Sequence, residues 1–148
     1  MPRIIRFDHI GVTVSDLDLV TEFFTSLGLE IEGRANGLEG EFLETVCAVP
    51  DSRTNIVMLK APGTDVGIEL SSFEKPGHLP GNPKVMANEL GLRSIAFEVD
   101  DLDAILNQLA ADGYGLVGGV GQYQGAWKMA YVRGPEGIIV ALAQRLDD

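Results

Sequence analysis

The sequence predicts an α+β protein built from two βαβββ modules in tandem, and three observations predict it. The stretch "DHIGVTVSDLD" at residues 8–18 returns as "RSIAFEVDDLD" at residues 93–103, so His9 and Ser94 stand 85 positions apart. The same spacing pairs Ile10 with Ile95, Val12 with Phe97, Val14 with Val99, Leu17 with Leu102 and Gly28 with Gly113. Within each copy, apolar alternation with a period of two gives way to an apolar stripe with a period near 3.6, the passage from strand to helix. The later half repeats as well. "IVMLKAPGTDVGIELSSF" corresponds to "KMAYVRGPEGIIVALAQ": Met58 matches Tyr131 and Pro62 matches Pro135 at a spacing of 73, and Glu69 matches Ala141 at 72 after a one-residue slip in the turn.

Taken in order, each module opens with a strand that ends at Val14 or Val99, its apolar residues alternating with polar or small ones. Ser15 and Asp100 are side-chain acceptors placed to cap the helix that follows, and Asp18 and Asp103 put negative charge in its first turn. Leu17, Val20, Phe23, Phe24 and Leu27 form one helical face, matched by Leu102, Ile105, Leu106 and Leu109. Gly28 and Gly113 stand where a left-handed C-terminal stop is wanted. A further strand is expected in Glu41–Val49 and its counterpart around Val117–Tyr123, and each module closes on a hairpin. The proline- and glycine-rich stretch Glu74–Gly91 is the expected linker, dividing a single domain into modules at residues 4–73 and 92–146. Neither module has enough strands to bury its sheet alone.

Composition narrows the function classes. The chain of 148 residues suits one globular unit. No apolar run approaches the roughly 18 residues of a membrane span, and "MPRIIRFDH" lacks the apolar core of a signal peptide, so a cytoplasmic protein is expected. A formal net charge of −11 with scattered basic residues argues against nucleic acid as a partner. The single cysteine, Cys47, excludes a disulfide framework and reads as a small buried hydrophobe in "ETVCAV". The "GGVG" at residues 118–121 is no nucleotide motif, because no helix follows to present amides to phosphate.

Paired βαβββ modules with "DHIGVTVSDLD" at the front and "GPEGIIVAL" near the end resemble the vicinal oxygen chelate superfamily, the glyoxalase, bleomycin resistance protein and dioxygenase group, over essentially the whole chain. The resemblance implies a cup-shaped half-barrel site in which, in the metal-dependent members, a divalent cation is held by the first and last strand of each module. Carried onto this chain those positions are His9 and Glu69 in the first module and Ser94 and Ala141 in the second. Two donors remain of four. Alternation puts Ile10, Val12 and Val14 under the helix and leaves His9, Gly11 and Thr13 on the opposite face, with Glu69 beside Gly67 and Ser71. Ser94, Ala96 and Glu98 line the second module in the same way. Glu98 is no substitute ligand, since four residues of strand carry it roughly 13 Å beyond Ser94. A histidine with one carboxylate would hold a cation weakly unless substrate completed the shell. His78 would join only if its loop folded over the cup.

A carboxylate at Glu69, between Ile68 and Leu70 on a strand, is costly to bury unless it is paired or lines a wet cavity. It is therefore the candidate general base, with His9 as its proton partner. Tyr131, Tyr123 and Trp127 are candidate pocket walls with Ser94 and Glu98; simple packing accounts for Tyr131 equally well and for Tyr123 and Trp127 better. Two function classes follow. One is a glyoxalase-like lyase or isomerase that moves a proton next to a carbonyl, with a depleted metal site. The other is a non-catalytic binding or sequestering protein of the bleomycin resistance type, whose acidic cup would suit a cationic aromatic ligand. A dioxygenase is disfavoured because the second histidine of a non-haem iron site is missing. A homodimer is expected, since exposed sheet edges need cover. Loops 34–45 and 74–91 are expected to wall the site.

Overall fold

The computed structural model describes residues 2–146. Two compact units, Met1–Pro80 and Gly81–Asp148, divide the chain within the glycine- and proline-rich stretch. The first contains β1 (His9–Thr13), α1 (Leu17–Ser26), β2 (Glu30–Glu39), α2 (Glu41–Cys47), β3 (Arg53–Lys60) and β4 (Gly67–Lys75). The second contains β5 (Ser94–Val99), α3 (Leu102–Ala111), β6 (Gly121–Tyr123), β7 (Trp127–Arg133), a short 3₁₀ turn at Pro135–Gly137 and β8 (Ile139–Arg145). Each unit forms one four-stranded sheet, in the orders β1-β4-β3-β2 and β5-β8-β7-β6, with the first strand parallel to the last and the other pairs antiparallel.

The register reproduces the repeat. Gly11 and Met58 flank Glu69 in the first sheet, and Ala96 and Tyr131 flank Ala141 in the second. The slip from 73 to 72 positions falls in the β3–β4 and β7–β8 turns. α1 and α3 each pack on the two inner strands of their own sheet, whereas α2 lies against the edge strand β2. The core of the first unit is Val14, Val20, Phe23, Phe24, Leu29, Val57, Leu59, Ile68 and Leu70, with Phe23 and Phe24 edge to face at 5.2 Å. Leu102, Leu109, Ala130, Val132, Val140 and Leu142 fill the second. Burying Phe24 completely contributes about 1.5–3 kcal/mol.

Both helix stops follow from their glycines. Gly28 and Gly113 take φ of 104° and 93°, where a Cβ would be strained. The amides of Leu29 and Gly28 then donate to the carbonyls of Phe24 and Thr25, and Tyr114 and Gly113 donate to Leu109 and Ala110. This is a Schellman closure in each copy. The caps at the other end lie one residue beyond the expected positions. Asp16 accepts from the Leu19 amide and Asp101 from the Ala104 amide, in place of Ser15 and Asp100. Because a capping side chain accepts from the amide three residues on, a cap one position later starts each helix one residue later.

The expected strand at Glu41–Val49 is instead α2, and the strand lies earlier, at β2. Phe42 and Val46, like Leu43 and Cys47, are four apart, a helical spacing that the β-branched Thr45 and Val46 obscure. β2 is an edge strand with two bulges, one of them at Gly37, whose φ is 68° and whose amide donates to Asn55 Oδ1. Polar, glycine-bearing and largely exposed, it shows no alternation. Residues 34–45 are therefore not a loop. Cys47, the last residue of α2, is exposed rather than buried. Of the strand expected at Val117–Tyr123, β6 is the end; before it, Leu116 makes one isolated bridge to Val132, and the diglycine Gly118–Gly119 interrupts the ladder. Among the described residues no helix is long and apolar enough to cross a membrane.

Candidate functional site

β1 and β4 run parallel in a register that sets His9 opposite Gly67 and Glu69 opposite Gly11. Each functional side chain thus faces a glycine, and the ring and the carboxylate lean together across the pair of strands. His9 Nε2 lies 3.5 Å from Glu69 Oε2, too long for a strong hydrogen bond. The two side chains are 35% and 30% exposed, so both remain open to solvent on the face away from α1. Gly67 cannot be enlarged freely, since a Cβ there would stand 2.9 Å from the Leu59 carbonyl.

The other edge of the ring is anchored. His9 Nδ1 donates to Asp8 Oδ2 at 2.7 Å, and the Arg6 guanidinium lies 3.1 Å from the second Asp8 oxygen. An ionised carboxylate only accepts, so Nδ1 carries a proton and Nε2 is the nitrogen presented to Glu69. The hydrogen bond from His9, followed by the positive charge of Arg6, holds the Asp8 carboxyl below its ordinary range. Neither Asp8 nor Arg6 is marked by spacing in the sequence. Strict alternation would send residue 8 to the opposite face from His9, but Asp8 precedes the strand and can fold back.

The remaining candidates fall into two groups within the second unit. Ser94 is exposed at the start of β5, and Tyr131, half-buried, stands opposite the buried Ala141. At the other end of the sheet, Tyr123 pairs with Trp127, and Trp127 pairs with Arg145. The Arg145 guanidinium stacks 4.4 Å above the indole, and its Nε is 3.9 Å from Glu98. Glu98 and Trp127 thus meet at Arg145, with Tyr123 on the far side of Trp127; no spacing in the sequence singles Arg145 out. Tyr123 is 61% exposed and Met129 beside it 37%, which leaves an open aromatic and thioether surface.

His78 does not reach His9 or Glu69. Its Nε2 accepts the Phe73 amide at 2.9 Å and its ring meets Phe73 edge to face, so it is fastened to the end of β4. A cleft of about 660 Å³ in the first unit lies on the helix side instead, lined by Asp16, Asp18, Arg34, Asn36, Asn55 and Glu74 among others. It contains neither His9 nor Glu69. Its walls are polar, with Asn55 donating to Glu74 and Ser72 to the Ser15 carbonyl.

A four-ligand metal centre does not fit this donor set. His9 and Glu69 supply two donor groups, Ala141 supplies none, and Ser94 supplies a neutral hydroxyl. Among the described residues no three His, Cys, Asp or Glu side chains are grouped to hold a metal ion. Catalytic zinc ordinarily keeps three protein ligands.

A family model described as the Glyoxalase/Bleomycin resistance protein/Dioxygenase superfamily matches residues 8–131. A glyoxalase family protein from Bacillus cereus is similar in structure with a TM-score of 0.94 at 34% identity, covering 99% of this chain and 97% of that one. The trypanothione-dependent glyoxalase I of Leishmania major has a TM-score of 0.66 at 20% identity, with 94% and 86% covered. TnmS3, an antibiotic binding protein from Streptomyces sp. CB03234, has a TM-score of 0.65 at 19% identity, with 98% and 99% covered. These last two likenesses are of fold. No curated protein matches the chain by sequence.

Proposed function

Since the chain belongs to the glyoxalase/bleomycin resistance protein/dioxygenase superfamily, we propose that it is a small-molecule lyase or isomerase that moves a proton next to a carbonyl without a fully liganded metal. The observation that carries this reading is the His9–Glu69 pair, 3.5 Å apart, with Nδ1 of the ring tied to Asp8 and Nε2 aimed at the carboxylate. Glu69 Oε2 takes the proton from the carbon acid. As an imidazolium, His9 donates from Nε2 to the oxygen on which charge develops; as the neutral ring, it accepts the proton that Glu69 has removed. Asp8 and Arg6 hold the ring in the productive orientation throughout. A divalent cation would be bound weakly by His9 and Glu69, so metal should copurify well below one equivalent, and EDTA should leave the melting temperature unchanged.

The test is proton exchange. Incubated in D₂O with a panel of 2-oxo acids, α-hydroxyaldehydes and thioesters, the protein should introduce deuterium next to the carbonyl of at least one of them. Glu69→Gln should lower that rate on the order of 10²-fold or more with ligand affinity retained. Undiminished exchange in Glu69→Gln would remove Glu69 as the base. One equivalent of tightly held metal, lost in Glu69→Ala, would replace this mechanism with a metal-assisted one.

A second reading has its own observation. The exposed Tyr123 beside Trp127, with the charged pair Arg145 and Glu98, is a stacking surface suited to a planar aromatic ligand. Tight binding of such a ligand with no turnover, weakened by Tyr123→Ala and indifferent to Glu69→Gln, would favour a sequestering protein. In either reading the chain is proposed to form a two-fold homodimer.

A further inference from the structure

Two apolar features of the first unit are left open to solvent. Residues 2–8 form no helix or strand, and within them Ile4 is 88%, Ile5 90% and Phe7 60% exposed. The second feature is the outer face of α2. Leu43 is buried beneath that helix, while Phe42 and Val46, one turn apart, are 75% and 67% exposed. The arm and the helix do not cover each other in one chain, since all four of Ile4, Ile5, Phe42 and Val46 stay exposed.

Their charges are opposite. Residues 2–7, "PRIIRF", carry two arginines, of which Arg6 meets Asp8, whereas α2 and the turn after it carry Glu41, Glu44 and Asp51 and no basic side chain. The arm is also long enough. Six extended residues reach up to roughly 20 Å, more than the about 10 Å of a seven-residue helix. An apolar segment carrying arginines therefore matches an apolar helical face rimmed by carboxylates in both hydrophobicity and sign.

We infer that the arm of residues 2–7 docks on the Phe42–Val46 face of α2 in a second copy of this chain, reciprocally about a two-fold axis. The inference rests on the dimer proposed above and names its contact. An isologous exchange buries both features in both copies at once, which a one-way contact would not. The arm runs directly into Asp8 and His9, so its seating on the partner also sets the chain entering that site.

Complementation between two variants tests it. The wild-type chain at micromolar concentration should scatter light as twice the chain mass. Ile4→Glu/Ile5→Glu (arm) and Phe42→Glu/Val46→Glu (face) should each scatter as monomers with unchanged far-ultraviolet circular dichroism. Leu90→Glu, changing an apolar side chain that is 98% exposed elsewhere, should remain dimeric. Mixing the arm and face variants should restore a dimer, because the mixed pair regains one intact arm on one intact face. If a glutamate variant does not fold, deletion of residues 2–7 replaces the first and Phe42→Ser/Val46→Ser the second. A monomeric wild-type chain overturns both the dimer and this contact. Variants that stay dimeric leave the dimer standing and overturn the contact. Monomeric variants that do not pair on mixing overturn the arm-to-face assignment.

Discussion

At the scale of single residues, the orientation of His9 depends on a neighbour that touches no substrate in the proposed reaction. With Asp8 replaced by alanine, the acceptor at 2.7 Å is gone and the neutral ring is no longer held with its proton on Nδ1. Nitrogen-15 chemical shifts of the imidazole should therefore pass from one dominant tautomer in the wild-type protein to a mixture in Asp8→Ala, with Asp8→Glu partly restoring the original pattern. A second residue is expected to be improvable. Thr54 is 1% exposed, and its hydroxyl has no hydrogen-bond partner among the described residues. Thr54→Val keeps the shape and removes the unpaired group, so it should raise stability by about 1 kcal/mol in urea unfolding. His9 and Glu69 were legible because strand alternation fixes which side chains share a face. Asp8 was not, because alternation says nothing about a residue just outside the strand. The glycines opposite each partner were hidden for another reason: cross-strand register depends on pairing between segments more than fifty positions apart.

At the scale of elements, the helix ends make the sharpest prediction. Asp101→Ala should cost about 1 kcal/mol by leaving the Ala104 amide without its acceptor, whereas Asp100→Ala, outside the cap, should cost much less. Gly113→Ala should also cost about 1 kcal/mol, from backbone strain rather than collision, since a Cβ there would meet nothing within 4 Å. The β3–β4 pair has a polar clasp at its end. Glu74 accepts from Asn55 and from Arg53, and these bonds, with the arginine's charge, hold its carboxyl below the ordinary glutamate range. A depressed carboxylate stabilises the fold above its unfolded pKa and loses that contribution as pH falls through the folded one. The stability gap between wild type and Glu74→Gln should accordingly be present at neutral pH and vanish in strong acid. Strands with one buried face and helices with glycine stops announced themselves in the sequence. β2 did not, since an exposed, bulged edge strand needs no alternation, and its absence from the reading moved the missing strand onto α2.

At the scale of the whole molecule, a net charge of −11 on a small chain is self-repulsive, and raising sodium chloride from 0.05 to about 0.5 M should raise the melting temperature as the repulsion is screened. The repeat accounts for the architecture, and its departures mark where function is to be sought: the same register holds a histidine and a glutamate in one unit and a serine and an alanine in the other. That divergence has a practical side. Both imidazoles, His9 and His78, belong to the first unit, and the sole indole, Trp127, lies under a guanidinium in the second. Each half therefore carries its own native spectroscopic label. Histidine proton resonances report on one and tryptophan emission on the other, so a ligand titrated into the unlabelled protein discloses which half it occupies by which of the two signals moves first.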